Sequence, residues 1–264
     1  MHRLLVESAL LNEESPVLPA DAARHLKVLR PKDGESIELF DGKGRWRTYR
    51  FERSGEDAPR IAPASQLASL GGYASPLNAH SNIRTIEQSN NSLTLFACVT
   101  KGSRWDWTIE KATELGATRI VPVLSERTIV RIPKDERAAK RERWMRIAED
   151  AARQSDAKWL PEICEAVDFK DALPLVRETT CFIGALTTPP SPPLARAIEQ
   201  SNNRTIEHFS AFIGPEGAFT PDELAALMEI ATPTSFGPTI LRAETAAIFA
   251  LSVLASSMHG EQRT

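Results

Sequence analysis

Over residues 1–67 the apolar positions come in short runs between turn signals. Arg3-Leu-Leu-Val6, Ser36-Ile-Glu-Leu-Phe40 and Arg45-Trp-Arg-Thr-Tyr-Arg-Phe51 read as strands, separated at Pro31-Lys-Asp-Gly34 and Asp41-Gly-Lys-Gly44. A helix interrupts them from Ala20 to Leu29, with Asp21 placed to cap it. Short strands and tight turns predict a small barrel, a shape that often offers a basic face to RNA.

From Leu93 the period changes. Leu93-Thr-Leu-Phe-Ala-Cys-Val99 is a continuous apolar run, as a strand covered on both faces would be. A helix is predicted from Trp105 to Leu115, ending at Gly116, and a second strand at Arg119-Ile-Val-Pro-Val-Leu124. Trp144, Ile147, Ala148 and Ala151 recur at helical spacing within Arg137 to Gln154. Thr180–Gly184 and Ser210–Gly214 are further strands ending at glycine, and Pro221 to Ile230 and Ala243 to Met258 are the closing helices. Alternation of this kind predicts a parallel sheet between two helical layers, with ligands beyond the carboxyl ends of its strands.

Between these regions, residues 63–92 are rich in Ser, Asn, Gly and Ala. The domain boundaries are therefore set at 1–67, 68–92 for a linker or insertion, and 93–264. His80–Asn91 and Glu199–His208 share an Arg-Thr-Ile-Glu core flanked by Ser-Asn. Both read as surface insertions, too short and too distant to form a structural repeat.

Composition changes this picture little, with 42% hydrophobic and 25% charged residues, as in ordinary globular chains. Cys98, Cys164 and Cys181 are widely spaced in apolar segments, so neither a zinc site nor a disulfide framework is indicated. No uninterrupted apolar window is long enough to span a bilayer, and the expectation is a soluble, cytoplasmic protein. Net charge is −3, yet residues 101–158 carry 14 basic against 10 acidic side chains. A polyanionic partner would favour that segment, although a helix face laced with ion pairs reads the same way.

Chemistry concentrates in two elbows. Ile213-Gly-Pro-Glu-Gly-Ala-Phe219 follows a strand and runs into Thr220-Pro-Asp-Glu223, a helix cap with proline in its first turn. Phe236-Gly-Pro-Thr-Ile-Leu-Arg-Ala-Glu-Thr-Ala-Ala247 puts Arg242 and Glu244 at the mouth of an apolar helix, with the Thr245 hydroxyl beside unpaired backbone groups. Burying that helix would force both charges to find partners or a ligand. No GxxxxGK[ST] phosphate loop occurs, which disfavours a nucleoside-triphosphate enzyme.

Gly-Pro-Glu-Gly followed by Ile-Leu-Arg-x-Glu-Thr-Ala and an apolar helix resembles the knotted SPOUT methyltransferases. Within them the chain most resembles the RsmE family, which methylates N3 of a uridine in 16S ribosomal RNA. His25-Leu-Lys-Val-Leu-Arg30, Asp41–Gly44, Lys111-Ala-Thr-Glu-Leu-Gly116, Ser125-Glu-Arg127, Arg143-Trp144 and Ala152-Arg-Gln-Ser155 agree in register. The resemblance implies an α/β fold: a SPOUT-type parallel sheet with a deep trefoil knot, preceded by a PUA-like β-barrel. It also implies S-adenosyl-L-methionine (SAM) as cofactor, a homodimer, and 16S ribosomal RNA or the small ribosomal subunit as partner. Carried onto this sequence, Leu186, Ile213, Gly214, Glu216, Gly217, Phe236, Gly237, Leu241, Arg242, Glu244 and Ala246 would line the cofactor pocket. Other readings are a SPOUT enzyme with a different RNA target and a catalytically silent RNA-binding assembly factor.

Three departures from the family pattern carry expectations. Ala218 stands where a second glycine is usual, which requires a negative φ there. Phe236-Gly-Pro-Thr239 replaces Leu-Gly-x-Arg/Lys, and Ala157 replaces an arginine whose place Lys158 would take. Methylating N3 of uracil requires removal of its proton and stabilisation of the resulting anion. Arg104 is the candidate cation, and Glu216 or Asp106 the candidate proton acceptor, Asp106 reading also as a helix N-cap. Arg30, Lys101, Arg104, Lys111, Arg127 and Arg131 are the RNA-contact candidates, with a Glu114 ion pair the competing reading for Lys111. Of Trp105 and Trp107, one is expected to face the core.

Overall fold

The computed structural model describes residues 1–52, 60–63, 83–85, 91–185, 189–201 and 208–259, arranged as two compact units. The first comprises Met1–Gln88 together with Ala152–Leu160, and the second comprises Ser89–Ala151 with Pro161–Thr264.

In the first unit, β1 (His2–Leu5) pairs in parallel with β2 (Ser36–Phe40). Helix α1 (Ala20–Leu29) makes the crossover between them. Antiparallel pairs then join β2 to β3 (Arg45–Glu52), and β3 to both β4 (Arg60–Pro63) and β5 (Ile83–Thr85). Leu4, Leu26, Ile37, Leu39, Tyr49, Phe51 and Ile61 fill the space between this sheet and α1. Asp21 does not cap α1. The cap position belongs to Pro19, which leaves Asp21 within the first helical turn, where its charge still opposes the helix dipole. The helix closes on Arg30, in the left-handed conformation at φ +49°.

Residues 152–160 complete this unit. Gly44 N–H donates to the Lys158 carbonyl, and Leu160 N–H to that of Gly42. Arg3, only 8% exposed, donates from Nε to Glu38 and from Nη1 to the Ala152 carbonyl (2.6 Å), and its guanidinium lies over Phe40. Lys158 Nζ binds Glu38 at 2.6 Å and Asp156 at 2.9 Å and lies over the Trp46 ring. Its charge is thus neutralised inside the unit, which overturns the expectation that Lys158 substitutes for an RNA-binding arginine.

The second unit is a seven-stranded, wholly parallel sheet. In chain order its strands are β6 (Ser92–Cys98), β7 (Arg119–Leu124), β8 (Glu162–Ile163), β9 (Val167–Asp168), β10 (Thr180–Gly184), β11 (His208–Ile213) and β12 (Thr232–Thr234). The spatial order is β12-β10-β11-β6-β7-β8, with β9 also on β7. Strand β6 shows why its sequence is apolar at every step. Leu93, Leu95, Ala97 and Val99 face one helical layer, α2 (Ser103–Glu114), α3 (Arg137–Ser155), α5 (Leu194–Gln200) and α7 (Ala243–His259). Phe96 and Cys98 face the other, α4 (Phe169–Arg177) and α6 (Pro221–Met228). Trp105 is the tryptophan that turns inward, edge-on to Trp144, and Trp107 stays 41% exposed.

Among the described residues, no helix is long and apolar enough to cross a membrane. Nor do three His, Cys, Asp or Glu side chains gather as metal ligands would.

Candidate cofactor site at the carboxyl edge of the sheet

Because β10 lies between β11 and β12, the chain leaves three neighbouring strands side by side at Gly184, Gly214 and Ser235. The two elbows recognised in the sequence are therefore brought to one edge. Strand order does this, since their separation along the chain places neither beside the other.

Each exit is a place where backbone meets an aromatic ring. A Cβ on Gly184 would fall 2.8 Å from the Phe236 ring, and one on Gly214 would fall 3.0 Å from that of Phe219. Glycine at each position lets the ring close onto the main chain. Phe236 also packs against Phe249 of α7 at 5.7 Å between ring centres. The β12 exit is held by backbone bonds, Ser235 N–H to the Pro192 carbonyl and Leu194 N–H to the Ser235 carbonyl. Gly237 follows at φ +122°, a conformation that a side chain would oppose.

The β11 exit is a tight turn closed by Ala218 N–H on the Pro215 carbonyl at 2.9 Å. Ala218 sits at φ +58°, which overturns the expectation of a negative φ. An L-residue with a Cβ is held there at a cost of roughly 1–2 kcal/mol, because Cβ crowds the following carbonyl. Helix α6 then begins with the expected capping box: the Thr220 hydroxyl accepts from Glu223 N–H, and the Glu223 carboxylate accepts from Thr220 N–H.

Two arginines from other strand exits reach this turn. Arg104, in the first turn of α2, donates to Glu216 at 3.3 Å. Arg127, after β7, donates from Nη1 to the carbonyls of Gly217 at 3.2 Å and Phe219 at 3.5 Å. The pair Arg104–Glu216 unites two of the candidate catalytic groups. Asp106 is not the cap of α2, because Gly102 occupies that position and the helix is already under way at Ser103. Its Oδ2 instead takes a bond from Arg143, while Oδ1 is buried without a hydrogen-bond donor.

Of the remaining pocket candidates, Ile213 is buried at the end of β11, Leu241 and Ala246 are half-buried, and Arg242 is exposed. Glu244 is half-buried, and its Oε2 is buried with no hydrogen-bond partner. An unpaired carboxylate oxygen at a helix mouth is costly unless a donor arrives from elsewhere. Leu186 lies outside the described residues.

Among the RNA-contact candidates, Lys101 is exposed beside Gly102 and Arg30 ends α1. Lys111 binds both Glu110 and Glu114 at 2.8 Å, and those bonds raise its pKa. Its charge is engaged on its own helix, as the ion-pair reading required. Arg131 donates to the carbonyls of Ser125 and Glu126 and so folds its own loop. Two contributors escaped the sequence. Phe219 carries a visible signal, an aromatic in a turn next to glycines, whereas nothing in the chain marks Ser235 as the hinge of the β12 exit.

A family model described as an RNA methyltransferase domain matches residues 87–255, and one described as an RNA methyltransferase PUA domain matches residues 18–62. The ribosomal RNA small subunit methyltransferase E of Synechocystis is 31% identical over 259 residues, covering 95% of this chain and 76% of that protein. Its namesake in Buchnera aphidicola is 27% identical, covering 92% and 88%. A Neisseria gonorrhoeae ribosomal RNA small subunit methyltransferase E, solved bound to S-adenosyl methionine, superimposes with a TM-score of 0.78 at 27% identity, covering 98% of both chains. A Legionella pneumophila structure with bound SAM gives 0.76 at 26% identity, covering 97% of both.

Proposed function

Since the chain belongs to the ribosomal RNA small subunit methyltransferase E family, we propose that it methylates N3 of a uridine in 16S ribosomal RNA, using SAM bound at the three strand exits. The observation that carries this reading is Glu244 Oε2, a buried acceptor lacking a donor in the first turn of α7. SAM offers an adenine amino group, ribose hydroxyls and an ammonium, each of them a donor of the kind this oxygen lacks. Ile213, Gly214, Glu216, Gly217, Phe236, Gly237, Leu241, Arg242, Glu244 and Ala246 would hold the cofactor.

The bound cofactor supplies an electrophilic methyl group on a sulfonium. The chain's own task is to position uracil and manage its N3 proton. Arg104 stabilises the negative charge that spreads to the uracil oxygens, and its fork of donors lets it do so while it holds Glu216. Glu216 takes the proton. Residues two apart on a helix point about 200° apart. With Arg104 turned to Glu216, Asp106 therefore faces α3, where Arg143 meets it.

Arg30, Lys101 and Arg104 bind phosphates of the small-subunit RNA. Pairing of two chains would cover Trp107 and Phe249, which are 41% and 36% exposed on α2 and α7. The same reading gives the second unit a knotted course near the β12 exit, where Ser235 bridges in parallel to Pro193.

Calorimetry with SAM tests the cofactor site. Arg242→Ala, at an exposed position, should keep its thermal midpoint and lose about tenfold or more in SAM affinity, the loss expected for one charge-assisted bond. Unchanged affinity removes Arg242 from the site, and no binding by the parent protein favours the silent assembly factor. Retention of N3-methyluridine in ribosomal RNA from a deletion strain would point to a different RNA target.

A further inference from the structure

Arg127 has the composition of an RNA contact and the geometry of a brace. The loop that carries it is itself fixed. Thr128 N–H donates to the Ser125 carbonyl, Ser125 N–H donates to the Thr128 hydroxyl, and Arg131 holds the carbonyls of Ser125 and Glu126. Both Ser125 and Thr128 are buried. From this post two consecutive residues reach the β11 exit. Glu126 N–H donates to the Glu223 carboxylate at 2.8 Å, tying the β7 exit to the capping box of α6. Arg127 lays its stem against Gly217, where a Cβ would lie 3.5 Å away, and its Nη1 takes the Gly217 and Phe219 carbonyls.

Those two carbonyls flank Ala218, the residue held at φ +58°. A left-handed alanine relaxes unless its surroundings fix the turn around it. Arg127 grips the carbonyl of the peptide that enters Ala218 and, one peptide beyond the one that leaves it, the carbonyl of Phe219.

The geometry points to Arg127 as a positioning residue for the methyl-donor loop: it holds Gly214–Phe219 in its binding shape against the strain at Ala218. This rests on the cofactor reading above and deepens it. Removing Arg127 lets Ala218 relax, so the loop must be rebuilt before the cofactor binds, and the cost appears in SAM affinity. RNA affinity and the rate at saturating SAM are untouched.

Four proteins decide it: the parent, Arg127→Ala, Arg127→Lys, and Arg127→Ala combined with Ala218→Gly. Arg127→Ala should raise the KM for SAM about tenfold, with kcat, the RNA KM and the salt dependence of RNA binding unchanged. Arg127→Lys should recover part of that loss, and so should Ala218→Gly, because glycine holds a positive φ without strain. Amide hydrogen exchange without ligand should speed up over 214–219 in Arg127→Ala only. That readout stands even where the parent fails to bind SAM, a result that would sink the cofactor reading alone. Unchanged SAM KM and unchanged exchange overturn the brace. So does a rise in RNA KM with SAM binding intact, which would make Arg127 an RNA contact.

Discussion

At the scale of single residues, environment decides what a side chain can do. Burial pushes the Cys98 thiol up to about 11, with hydrogen bonds from Ser125 and Thr128 drawing it partly back. It pushes Cys181 up to about 12. Both are therefore uncharged and inert at neutral pH. An unfolded thiol ionises near 9, so above that pH the unfolded state has lost a proton that the folded state keeps. The contribution of these thiols is complete below pH 9 and fades as pH rises toward 11–12. Thermal midpoints of the parent should thus fall more steeply between about pH 8 and pH 11 than those of Cys181→Ala. Parallel slopes would refute it. Lys111 and Lys158 show the same for cations, because each is a candidate for RNA contact in the sequence and is found bound to carboxylates, the outcome that the ion-pair reading of Lys111 described.

At the scale of elements, the cap of α6 is the best test of local design. Thr220→Ala removes the acceptor for Glu223 N–H and loosens a carboxylate that also holds Glu126 N–H. A loss of about 1 kcal/mol in unfolding free energy is expected, read from the denaturant midpoint at constant slope. Elements with a strong period were legible: β6, β7, β11, α1, α3 and α7 lie within a few residues of their expected bounds. Helix α4 was not, since Pro174 inside it reads as a breaker. The two-residue strands β8 and β9 are too short to show any period. The site divides in the same way. Its glycines and the Arg242–Glu244 charges were visible because they break an apolar pattern. The Arg104–Glu216 and Arg127–Gly217 contacts join residues 112 and 90 apart in the chain, and only strand order creates them.

At the scale of the whole chain, the first unit is not a continuous stretch of sequence. Glu38 is 3% exposed and depends on Arg3 and Lys158, and Arg3 in turn depends on the carbonyls of Ala152, Arg153 and Ala157. A fragment of residues 1–88 leaves a buried carboxylate short of a cation and removes the acceptors of a buried arginine, a costly combination. Such a fragment should show little amide protection in β2, and one with 152–160 joined through a flexible linker should regain it. Equal protection in the two would show that the returning segment is dispensable.

The returning segment also sets a schedule. Ribosomes extend a chain by about 5–20 residues per second. Residue 160 therefore follows residue 88 by roughly 4–14 s, and most of the second unit's amino-terminal half is made in between. The part of the first unit made before residue 89 must wait for Lys158 before Glu38 has its full set of partners. This domain is started before its neighbour, but it can be finished only after that neighbour is well under way.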